Sequence, residues 1–101
     1  MLNLLRLLVL LGGLGGSTIL HAQTPPAELR VLAAGSLRAA LTDIATAFES
    51  DHPGIKVRLT FGASGLLKDS IATGEPADVF ASANMEHPEA LAAAGRATAV
   101  Q

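Results

Sequence analysis

The sequence predicts an α/β protein, a parallel sheet with flanking helices in the order β-α-β-α-β-α. Two apolar, strand-like runs each break at a small Gly/Ser loop and restart as a helix, at residues 29–41 and 55–67. A shorter run at 78–81 does the same through Ser82-Ala83-Asn84, and all connections are short. Strands alternating with helices in this way imply parallel pairing with right-handed crossovers. They also bring every strand-to-helix loop to the carboxyl edge of the sheet, where open α/β sheets bind their ligands.

Residues 1–22 stand apart from this pattern. Arg6 precedes an apolar stretch at 7–20, and Leu20-His21-Ala22 supplies a small-residue cleavage site, so this segment reads as a secretory signal cleaved near Ala22. The stretch is shorter than a membrane span requires and contains glycines, which favours a leader over an anchor. The chain has no cysteine. That excludes a lipid-anchored leader, disulfide staples and thiolate metal sites, so burial alone must stabilise the fold.

Residues 23–28, with Pro25-Pro26, are expected to be an extended lead-in. Residues 29–34 form an apolar run interrupted only by Arg30, as in a buried parallel strand. Ser36 then reads as the N-cap of a helix from Leu37 to about Asp51, with Leu37, Leu41, Ile44 and Phe48 along one face. His52-Pro53-Gly54 ends that helix. Residues 55–61 alternate, with Ile55, Val57, Leu59 and Phe61 opposite Lys56, Arg58 and Thr60, which predicts a strand near the sheet edge. After Gly62-Ala63-Ser64-Gly65, Leu67 and Ile71 begin a second helix that stops at Gly74. Asp78 opens a short third strand, Pro88 opens an Ala-rich third helix, and Gly95 closes it. The strands are too few to close an α/β domain, so residues 29–101 read as part of a larger fold.

With Arg6 set aside, six cationic residues face nine acidic ones. A mildly acidic protein does not suit nucleic acid, which asks for a basic patch. A small anion remains open, because local dipoles bind it rather than global charge. Ser36 and Ser64 sit at or near helix N-termini, where unpaired N–H groups and the positive end of the helix dipole favour an anion. Gly35, Leu37, Ala63 and Gly65 supply the neighbouring loop backbone, much of it uncovered. For one serine alone, capping its own helix is the ordinary role; two such junctions on one sheet edge weigh toward a shared ligand.

Other chemistries fit less well. A serine hydrolase with Ser64 as nucleophile would need glycine two residues later, where Leu66 stands. His52 and His87 read as surface punctuation beside prolines. The acids Asp43, Glu49, Asp51, Asp69, Glu75, Glu86 and Glu89 are scattered as on solvated helix faces, so no resident metal or cofactor is expected. Asp78 is the exception. At the start of a strand its carboxylate is expected to accept backbone N–H bonds from a neighbouring loop rather than contact an anion that would repel it.

The AGSL junction, the FGASGLL junction and above all GEPADVFASAN at 74–84 resemble the periplasmic molybdate-binding proteins of ABC importers and their tungstate-binding relatives. The likeness runs from about Leu29 to the end of the chain. It implies the first part of lobe 1 of a two-lobed, type II periplasmic binding protein, truncated here, with Ser36 and Ser64 matching the first-lobe serines that hold a tetrahedral oxyanion. It further implies a periplasmic, monomeric, non-enzymatic receptor without a membrane anchor in its mature form, whose partners are the anion and the permease and ATPase of an importer. Other anions or ferric iron remain alternatives within the same superfamily. Gly65 and Leu66 stand where some relatives carry hydroxyl residues. Without the second lobe, this stretch is expected to bind weakly or not at all.

Overall fold

A computed structural model describes residues 27–101. The expected signal segment, residues 1–22, and residues 23–26 of the expected lead-in lie outside the described residues. Seven elements follow in order: β1 (Ala27–Ala34), a 3-10 turn (Gly35–Leu37), α1 (Arg38–Asp51), β2 (Ile55–Gly62), α2 (Ser64–Ala72), β3 (Val79–Ala81) and α3 (Glu86–Ala93). The alternation is the expected one. Several bounds shift by a residue or two: β1 takes in Ala27 and Glu28, since Ala27 N–H bonds the Gly54 carbonyl at 3.0 Å, α1 begins at Arg38 rather than Leu37, β2 runs on to Gly62, β3 begins at Val79 rather than Asp78, and α3 begins two residues before Pro88.

The sheet is parallel, in the order β2-β1-β3. β1 is therefore central, and its last four residues, Val31 to Ala34, are buried, Ala33 completely. Among the described residues β2 borders only β1, as its alternation predicts: Ile55, Val57, Leu59 and Phe61 are half-buried, whereas Lys56, Arg58 and Thr60 are exposed.

Successive residues of β1 face opposite sides of the sheet. On one side Leu32, 2% exposed, packs with Leu67 and Ile71 of α2 and Leu91 of α3, joined by Ala77, Phe80 and Ala97. On the other, Leu29 and Val31 face Leu41, Ile44, Ala45 and Phe48 of α1 across an apolar gap of about 120 Å³. The expected stripe on α1 is thus present but only partly covered, and Ile44 remains 60% exposed.

Glu49 departs from its sequence reading. It is half-buried rather than on a solvated face, and its carboxylate accepts the Val57 N–H of the edge strand at 2.7 Å. α2 and α3 end alike. Gly74 (φ 116°) and Gly95 (φ 76°) adopt left-handed backbone, and the N–H groups of Glu75 and Arg96 reach back to the carbonyls of Ser70 and Leu91 at 2.9 and 2.8 Å. These are Schellman ends, which satisfy carbonyls the helix cannot.

Candidate anion-binding site

The strand register decides where the serines stand. Ala34 of β1 pairs with Gly62 of β2, so Ser36 and Ser64 each follow a paired position by two residues and leave adjacent strands at the same level. Ala33 pairs with Ala81 of β3, which brings the Ser82-Ala83-Asn84 loop to the same edge. The loops are also tied together: Ser64 Oγ accepts the Ala83 N–H at 2.9 Å, across 19 residues of sequence. Ser82 Oγ accepts the Asn84 N–H at 3.2 Å and shapes the third loop.

Neither serine caps its helix. Ser36 lies inside the 3-10 turn; Ala34 precedes that turn, Leu37 precedes α1, and no side chain caps either start. The expectation of an N-cap at Ser36 is corrected, because residues Gly35–Leu37 form a 3-10 turn and α1 begins only at Arg38. Ser36 is exposed. Ser64 is the first residue of α2, after an extended Ala63 (φ −70°, ψ 132°), and its hydroxyl bonds the third loop instead of its own helix.

The first intrahelical bond of α2 runs from Leu67 N–H to the Ala63 carbonyl at 3.0 Å. The N–H groups of Ser64, Gly65 and Leu66 therefore have no acceptor within the helix. Gly35, Ser36 and Leu37, Ala63 to Gly65, and Ser82 to Asn84 carry no charged side chain. The edge can thus offer hydroxyl and amide donors, with the α2 dipole adding partial positive charge. Arg38 lies just beyond, its guanidinium 4.5 Å from the Phe61 ring centroid.

Asp78 has the structural role expected of it, just before β3 and away from the serine edge, but its partner is Arg30 of the central strand rather than a neighbouring loop. Its Oδ2 accepts the Arg30 backbone N–H at 2.7 Å and pairs with Arg30 Nε at 3.2 Å, while Asp78 N–H bonds the Arg30 carbonyl at 2.8 Å. The hydrogen bonds from the Arg30 side chain, then from its backbone, hold the Asp78 carboxyl below its usual range. His52 is likewise remote, stacked on Phe48 with centroids 4.2 Å apart.

His87 was underrated by sequence reading. It is half-buried, and its ring lies against Gly65 in the first turn of α2. Pro88 beside it gives no hint of this, since the contact spans more than twenty residues. Among the described residues no group of three His, Cys, Asp or Glu is placed to hold a metal ion. A hollow of about 590 Å³ runs along the outer side of β3, between Met85, Pro88 and residues 99–101, and includes neither Ser36 nor Ser64. Its lining is mostly apolar and offers an oxyanion little.

A family model described as bacterial extracellular solute-binding protein matches residues 29–101. The chain belongs to this family. Within it, the molybdate-binding protein ModA of Mycobacterium tuberculosis is 40% identical over 65 residues, covering 64% of this chain and 25% of that one. ModA of Azotobacter vinelandii is 37% identical over 89 residues, covering 88% and 33%. The structure of the Azotobacter vinelandii periplasmic molybdate-binding protein superposes with a TM-score of 0.63 at 33% identity, over 66% of this chain and 29% of the other. A substrate-binding domain assigned to a molybdenum ABC transporter of Clostridium difficile gives a TM-score of 0.65 at 32% identity, over 67% and 30%. The three parallel strands and their helices are thus part of the periplasmic binding protein fold of these neighbours. The chain spans about a quarter to a third of the length of the curated relatives it matches.

Proposed function

We propose that this protein is an exported receptor for a tetrahedral oxyanion, molybdate or tungstate, which it delivers to the permease and ATPase of an ABC importer. In this reading residues 1–22 are the export signal, residues 29–101 form the first part of lobe 1, and the anion is cargo rather than a cofactor. The observation that carries the proposal is the register that brings Ser36 and Ser64 to one level of one sheet edge. The relatives, whose names state molybdate binding, supply the ligand class.

The binding chemistry follows from the donors. Ser64 Oγ already accepts the Ala83 N–H, so its hydroxyl proton is free to be given to an anion oxygen. The Ser36 hydroxyl and the exposed backbone of Gly35 and Leu37 add donors from the neighbouring strand end, and the first-turn amides of α2, at Ser64 and Gly65 after Ala63, complete one wall. Hydrogen bonds to a charged acceptor are about twice as strong as neutral ones, so a few neutral donors can hold a dianion without a counter-cation. Selectivity among molybdate, tungstate and sulfate then depends on cavity size, since their charge and shape are alike.

Calorimetric titration of the full-length gene product with molybdate, tungstate and sulfate tests this reading. Molybdate or tungstate should bind and raise the melting temperature in proportion to the logarithm of its concentration. Ser36→Ala should weaken binding by about 1 to 3 kcal/mol. Full-length protein that binds no oxyanion, or a Ser36→Ala variant with unchanged affinity, overturns the assignment.

A further inference from the structure

We infer that His87 is a third side-chain donor to the bound oxyanion, delivered from α3 into the first turn of α2. The inference rests on the function proposed above and names a residue that sets the strength of binding. A Cβ placed on Gly65 would lie 3.5 Å from Cε1 and 3.7 Å from Nε2 of His87. The space that a side chain at position 65 would fill is therefore taken by the polar edge of the imidazole. Position 65 follows Ser64 directly, and its own N–H is one of those left without an acceptor inside α2. The polar edge of the ring thus lies against the first turn of α2, beside Ser64.

His52 has Nδ1 3.1 Å from the Phe48 carbonyl, whereas no hydrogen bond or ion pair reaches His87 among the described residues. The charged groups of the elements meeting here are accounted for. On α2, Lys68 and Asp69 pair with each other at 2.8 Å. On α3, Glu86 and Glu89 lie in the first turn and are exposed. Asp78 is bound to Arg30 at the far end of the sheet, and Arg96 bonds the Ala72 carbonyl at 3.4 Å. A half-buried imidazole beside α2 and facing Gly65 has a donor to give to an anion seated on that turn.

The test is calorimetric titration of the full-length gene product with sodium molybdate. His87→Leu should bind about tenfold more weakly than wild type, the loss of one hydrogen bond to a charged group. His87→Gln, which keeps a donor, should recover part of the affinity, and His52→Gln should keep all of it. If His87→Leu retains wild-type affinity, His87 is no donor and the inference falls while oxyanion binding stands. If wild type binds no molybdate, the proposed function fails first.

Discussion

Asp78 shows how one carboxylate organises a strand entrance. Arg30 and Arg58 face each other in register on β1 and β2, an arrangement of like charges that would ordinarily repel. Each is answered by its own acid: Asp78 for Arg30, and Glu28 for Arg58 at 2.7 Å. Both pairs are solvent-exposed, so the backbone bond from Arg30 N–H to Asp78 adds geometric definition that a surface ion pair alone would lack. The Asp78 carboxyl titrates below its usual range when folded, chiefly through its hydrogen bonds from Arg30. Its contribution is therefore full above the unfolded carboxyl value, near 3.9, and is lost as pH falls through the lower folded value. Asp78→Asn should lower the melting temperature at neutral pH, and the difference from wild type should shrink in acid. Parallel melting curves at all pH values would contradict this. The role of Asp78 was legible because a strand-initial acid beside proline has few uses. The bond from Ser64 to Ala83 was not, because capping rules look a few residues ahead and this partner lies 19 away. His87 escaped for the same reason.

At the scale of elements, helix ends were read more reliably than helix starts. Gly74 and Gly95 were identified as stops, and both sit where the backbone turns left-handed. Glycine tolerates that conformation, whereas a Cβ clashes with its own carbonyl at a cost of about 1 to 2 kcal/mol. Nothing crowds Gly74 within 4 Å, so strain rather than collision decides the outcome. Gly74→Ala should destabilise the protein by about 1 kcal/mol in chemical denaturation, with unchanged dependence on denaturant concentration. The start of α1 was misjudged because Gly-Ser-Leu suits a 3-10 turn as well as a cap, and only the observed dihedrals separate the two. Glu49 was misjudged because its partner, an outward-facing N–H of β2, belongs to the tertiary arrangement of helix on strand.

For the whole molecule, the two faces of the sheet are unequally built. The side of α2 and α3 holds Leu32, Leu67, Ile71 and Leu91 in one buried cluster, whereas the side of α1 is only half covered. Most of the stabilisation of the described residues therefore comes from one layer. Leu67→Ala removes a buried side chain at the centre of that layer and should cost about 2 to 5 kcal/mol, measured by equilibrium unfolding. A loss no larger than that of an exposed Leu66→Ala control, at a residue 69% exposed, would show that the layer carries less weight than its burial suggests. Fold class and strand direction were legible in the punctuation of apolar runs. Strand order and register were not, since local sequence does not say which strand takes the centre. That register is what turns two separated serines into neighbours.

The bond between Ser64 and Ala83 makes a backbone amide hang on a side-chain oxygen beside the proposed cargo. Isotope exchange at that amide is governed by how often this single link opens. A guest seated on the same hydroxyl would steady the link, so the Ala83 amide should act as an intrinsic occupancy meter, slow when loaded and fast when empty, with no dye attached.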